Sequence, residues 1–147
     1  MSLETFGQAC AVAIDEQLRE VEDGGRHGGE IGVSADTMPE LFLPEDVDWR
    51  WISPGIANDI LGMRVRVVSS RHAIAKEYQP IAAGYSYTMS AELRKQARIL
   101  GAHAWNLAQR LRREVGLPVA EVHGEEWDFT QVFDHAKAPV SFQTIDK

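Results

Sequence analysis

Seven apolar residues in the second half of the chain, Leu93, Ala97, Leu100, Ala104, Leu107, Leu111 and Val115, recur at spacings of 4, 3, 4, 3, 4 and 4. At 3.6 residues per turn they fall on one side of a helix. The spacing predicts a helix from Ala91 to about Val115, capped by Ser90 and stopped by Gly116-Leu117-Pro118. Arg94, Lys95, Arg98, Arg110, Arg112 and Arg113 all project away from the stripe. The basic residues leave a gap: from Ile99 to Gln109 there is no formal charge, and the bulky Trp105 lies off the stripe. Ala97, Gly101, Ala104 and Ala108 form a small-residue strip, which is expected to let another element approach closely. The outer side of the helix, bordered by Ile99 and His103 on one flank and Trp105 on the other, is expected to meet a protein partner or a second copy. The competing expectation is that the rest of the chain wraps this helix.

Such a helix needs a partner layer, and the N-terminal segment offers one. Leu3, Phe6, Cys10, Ile14, Leu18 and Val21 recur at spacings of three and four, with Ser2 as cap and Glu4 placed favourably in the first turn. Gly24-Gly25 is expected to end this helix, and the glycine-rich stretch at residues 24–30 reads as a flexible loop without a Walker pattern. Cys10 falls on the apolar face and reads as a core residue. As a lone cysteine it forms no internal disulfide and excludes a multi-cysteine zinc site.

The middle of the chain suggests strands. Ser53-Pro54 opens a short helix that Gly62 is expected to end. Met63, Val65 and Val67 then alternate with Arg64 and Arg66, and Tyr85, Tyr87 and Met89 alternate with Ser86 and Thr88. Period-two alternation predicts half-exposed antiparallel strands. Val119–Val122 reads as a further short strand and Glu125–Lys137 as a last helix, with Trp127 and Phe129 also compatible with a strand. The expected fold class is therefore α+β: a small antiparallel sheet packed against the N-terminal helix and the long helix of the C-terminal half. The 147 residues are expected to form a single globular domain, long enough to bury a core without disulfides or metal.

Charge is segregated along the chain. Residues 1–60 hold thirteen acids and three bases, residues 61–118 three acids and ten bases, and residues 119–147 six acids and two bases. One reading is internal complementarity between an acidic first half and a basic middle. Another is a nucleic-acid-related protein, which either binds through Arg64, Arg66 and the basic helix face or mimics DNA with its acidic half. The net charge of −7 opposes approach to a polyanion, so nucleic acid is not the expected partner.

Catalytic signals are sparse. His123, Glu125 and Glu126, with Asp134-His135 to complete the set, are the candidates for a small metal-dependent or acid/base hydrolase. No His-Glu-x-x-His pair, nucleophile elbow, dinucleotide fingerprint or cofactor motif accompanies them. No cofactor is expected, and a non-catalytic reading is preferred. Trp49-Arg50-Trp51, after the acidic run Glu45-Asp46-Val47-Asp48, is a second candidate interface, since aromatics and arginine are favoured at binding hot spots. Its alternative is two rings roofing the core, with Arg50 paired to Asp46 or Asp48.

Asp59–Ser69, Asp-Ile-Leu-Gly-Met-Arg-Val-Arg-Val-Val-Ser, loosely resembles a Leu-Leu-Gly-x-Pro-Val-x-Val-Ser segment of tailed-phage major capsid proteins, with Arg64 in place of the proline. The resemblance covers about a dozen residues of helix–Gly–strand chemistry in a chain shorter than such a subunit. It implies a phage or mobile-element origin and defines no family. The expected function is a non-catalytic interaction or assembly protein, structural or host-modulating. The interface residues are Trp49, Trp51, Ile99, His103 and Trp105. No apolar run is long enough for a membrane span. The expected location is the cytoplasm, of a cell or of an infected host, or the virion.

Overall fold

The structure, a computed structural model, describes residues 2–27, 33–78, 85–120 and 128–135; the side chains of residues 24–27, 85–87 and 135 are not described. Among the described residues four α-helices follow one another: α1 (Leu3–His27), α2 (Pro54–Lys76), α3 (Tyr85–Glu114) and α4 (Thr130–His135). Two 3-10 turns, Ala35–Thr37 and Trp49–Trp51, lie in the connection between α1 and α2. Among the described residues there is no strand, so the α+β expectation is overturned in favour of an all-helical arrangement.

The physical reason lies in α2. The alternation of Met63, Val65 and Val67 with Arg64 and Arg66 spans five residues only. Over a longer window, Ile56, Ile60, Met63, Val67, Ser70 and Ile74 recur at spacings of 4, 3, 4, 3 and 4, and all six are buried. That is a helical face. Ser70 fits it because its hydroxyl donates to the Val67 carbonyl at 2.6 Å. Gly62 lowers helix propensity by about 1 kcal/mol, but a buried face of six residues, five of them apolar, outweighs it. The Asp59–Ser69 segment is helical throughout, so the helix–Gly–strand pattern of the capsid resemblance is absent.

The expected Tyr85–Met89 strand is the first turns of α3, and Ser90 is buried within the helix rather than capping it. Three helix ends follow their sequence signals, among them the start of α2 at Ser53-Pro54. Ser2 caps α1: its hydroxyl accepts the Thr5 amide at 3.2 Å. Gly116, at φ 75°, ends α3. Its amide donates to the Arg113 carbonyl and that of Leu117 reaches back to Arg112 at 2.8 Å, the paired bonds of a Schellman stop. The glycines of α1 behave differently: the helix runs through Gly24-Gly25 to His27, so residues 24–27 are not loop, and residues 28–30 lie outside the described residues. Val119 and Ala120 are irregular, and the rest of the expected Val119–Val122 strand lies outside. Of the expected Glu125–Lys137 helix, Thr130–His135 is helical; Asp128 accepts the Thr130 amide at 3.0 Å just before it.

Helix α3 is the centre of the fold. Both α1 and α2 pack along it, α1 the more extensively, and α4 covers α1 and α3 together. Glu4 meets Gln109 and Arg112 while Cys10 meets Gly101, so α1 and α3 run antiparallel. The Ser53 amide donates to Glu114 at 2.9 Å and Arg110 pairs with Asp59 at 3.3 Å, so α2 begins where α3 ends. The core joins Phe6, Cys10 and Ile14 of α1 to Leu93, Ala97, Leu100 and Leu107 of α3 and Ile60, Met63 and Ile74 of α2. Burial of each larger aliphatic side chain contributes about 1.5–3 kcal/mol. Met38, in the connection, is buried as well; its carbonyl accepts from Arg71 at 3.0 Å, which pins the segment to α2.

Candidate interaction surfaces

The small-residue strip of α3 meets α1. A Cβ at Gly101 would lie 2.7 Å from the Cys10 Cβ and 2.8 Å from the Phe133 ring, and one at Gly7 would lie 3.2 Å from the Gly101 carbonyl oxygen. Ala97 and Ala104 have no exposed surface. Burial pushes the Cys10 thiol far up from its ordinary value, so Cys10 is a packing residue. One end of this seam is polar. Arg112 donates to both Glu4 carboxylate oxygens, Gln109 donates to Glu4 at 3.5 Å, and the Gln109 carbonyl oxygen accepts the Ala120 amide at 2.8 Å. The Arg112 guanidinium holds Glu4 below the ordinary carboxylate value, against the opposing effect of its partial burial.

The five sequence-predicted interface residues do not come together. Trp105 turns toward α1 and α4: its ring meets Phe129 edge to face, with centroids 5.1 Å apart, and its Cβ approaches Gly7. His103 lies on the opposite flank of α3, partly buried, where it feels Arg66 and Asp59 of α2. Burial, then the positive charge of Arg66, holds its imidazole below the ordinary value; Asp59 pulls the other way and Arg110 adds a smaller lowering. Ile99 is on the outer side and 45% exposed. Trp49 packs against the core, whereas Trp51 is 81% exposed, its indole N–H donating to Asp48 at 3.1 Å. Asp48 also receives a two-pronged bond from the Arg50 guanidinium, both distances 2.9 Å, so the arginine of this motif is held by its neighbour. The two tryptophans edge an apolar cleft of about 480 Å³ whose walls include Leu3, Leu43, Ile60 and Leu111.

His123, Glu125 and Glu126 lie outside the described residues, and of His135 only the backbone is described. Among the described residues no three His, Cys, Asp or Glu side chains converge, and no helix is long and apolar enough to cross a membrane.

The surface that sequence reasoning missed is the outer side of α2. Leu61, Val65, Val68 and His72 recur at spacings of 4, 3 and 4, and all four are exposed: Val65 by 68%, Val68 by 57% and Leu61 by 44%. They form a second apolar stripe opposite the one that faces the core. The exposed apolar residues are therefore aligned on one side of the helix rather than scattered over it. The signal was available as two interleaved stripes across residues 56–74, masked by the shorter alternation around Arg64 and Arg66. Comparisons with protein-family models, curated proteins and solved structures found no match to this chain.

Proposed function

We propose that this chain is a non-catalytic protein-interaction or assembly protein that docks through the outer face of α2. The observation that carries the reading is the second apolar stripe, Leu61, Val65 and Val68, on a helix whose other face already anchors the core. The charge layout supports it. Three arginines of the basic middle segment pair with acids of the first sixty residues: Arg71 with Glu40, Arg110 with Asp59 and Arg112 with Glu4. Three of the ten basic residues of this segment are thereby paired within the chain, which with the net charge of −7 favours a protein partner over nucleic acid.

Site-specific photo-crosslinking in cells that make the protein tests this. A photoreactive phenylalanine analogue replacing Val65 should give a discrete crosslinked product of higher mass. The same analogue replacing Arg19, on the solvent side of α1, should not. Equal products from both positions, or none from position 65, would remove the docking face.

A further inference from the structure

We propose that the outer face of α2 receives an amphipathic helix of a different protein, one whose apolar stripe is flanked by acidic residues. This rests on the docking role argued above and names the partner's chemistry. The first support is spacing. Leu61, Val65, Val68 and His72, continued by Ala75, follow the 4–3–4–3 repeat that lets two helices lie along each other over several turns. From residue 61 to residue 75 the seam is roughly 21 Å long at 1.5 Å per residue, the reach of a partner helix of about four turns.

The second support is charge. Between Ile60 and Lys76 there is no acidic residue. Arg64 stands on one flank of the stripe and Lys76 on the other, near its end, and both are exposed; Arg66 lies farther round the helix, toward His103 of α3. Neither Arg64 nor Lys76 forms an ion pair among the described residues, whereas Arg71, on the same helix, is tied to Glu40 and Asp36. Charged residues flanking an apolar seam set the choice of partner helix. Here both flanks call for carboxylates.

The same layout argues against a second copy as the occupant. Two α2 faces laid together would bring Arg64 and Lys76 near the same residues of a second copy; α2 has no acid between Ile60 and Lys76 to relieve them, and Asp36 and Glu40 beside it are already engaged by Arg71. The acidic end of α1 does not supply the missing half. Its exposed apolar residues, Val12 and Leu18, are six positions apart and so about 120° apart around the helix, which makes no stripe.

The test uses the full chain and two designed three-heptad peptides with the same leucine seam, one flanked by glutamates and one by lysines. Fluorescence anisotropy should show the glutamate peptide binding at least tenfold more tightly, with affinity that falls as salt is raised. Val65→Asp, on an exposed position and with unchanged circular dichroism, should lose at least tenfold. The double reversal Arg64→Glu with Lys76→Glu should invert the preference between the peptides. Equal binding of the two peptides, an unaltered preference after the reversal, or no binding by either would overturn the acidic-helix proposal. Of these, equal binding that Val65→Asp abolishes leaves the docking face standing, while the crosslink at position 65 judges that face by itself. Light scattering that shows a dimer of the unmutated chain dissociated by Val65→Asp would assign the face to a second copy and overturn the proposal as well.

Discussion

The seam between α1 and α3 and the outer face of α2 are built from similar spacing and meet opposite surroundings, one buried and one exposed. Along the seam, glycine and alanine let two backbones approach until a single Cβ at Gly101 would collide with Cys10, and Phe133 and Trp105 close over the contact. On α2, larger Leu61, Val65 and Val68 stand in solvent with open space beside Gly62. The seam is buried within the chain, and the α2 face is exposed. Helical periodicity tells where apolar faces lie; side-chain size tells how closely another element of the chain can approach each one.

The largest separation between the two regions should come from overpacking. Gly101→Leu forces atoms into a position where even a Cβ is within 2.7 Å of Cys10. The loss should be about 1–3 kcal/mol, measured by urea unfolding, although leucine is the better helix former. An unchanged midpoint would mean that α1 and α3 are not held at this distance.

Gly62→Ala should have the opposite sign. Nothing lies within 4 Å of a Cβ there, and the residue is within α2. Replacing a helical glycine without a clash stabilises by about 0.4–1 kcal/mol. If Gly62→Ala destabilises as Gly101→Leu does, α2 is packed on that side too and the comparison between the regions collapses.

What the sequence made legible follows the same division. The N-terminal helix, the long helix and its stop at Gly116 were readable because their signals are local and span several turns: a sustained apolar repeat, a Ser cap, a glycine with positive φ. The strands were misread because five alternating residues, Met63 to Val67, fit period two while a longer window around them fits period 3.6. Valine and arginine on a helix with two apolar faces imitate a half-buried strand. The start of α3 was placed late because Ser90 resembles a cap, although it is buried inside the helix. Of the candidate site, the flanks were legible but not what they meet. Spacing alone put His103 and Trp105 on opposite flanks of α3; that Trp105 packs on Phe129 and His103 faces the charges of α2 is seen only in the structure. Glu4 was read for its effect on the helix dipole. Its bonds to Gln109 and Arg112 cross more than a hundred residues, which no local pattern encodes.

The smallest expected effect is a pair of separate acid steps, one for each region. His103, at the α2–α3 contact, is held below its ordinary value of 6.5, first by burial and then by Arg66. Between the folded and unfolded values the unfolded chain binds more protons, so acid favours unfolding there. The contribution of a neutral His103 is complete above pH 6.5 and is lost as pH falls through the lower folded value. Glu4, at the end of the α1–α3 seam, is held below 4.5 chiefly by its bond from Arg112. Its contribution is complete above pH 4.5 and is lost as pH falls through its own folded value. Thermal midpoints followed from pH 8 down to pH 3 should therefore decline in two stages. His103→Gln should flatten the first stage and leave the second, because glutamine takes up no proton where the imidazole would. Glu4→Gln should lower the midpoint above pH 4.5 and flatten the second stage only. If either variant flattens both stages, the two contacts with α3 are coupled and the α2 side is held as tightly as the seam. If His103→Gln leaves the first stage intact, the α2–α3 contact does not shield this histidine, and α2 is looser on α3 than the Asp59–Arg110 pair indicates.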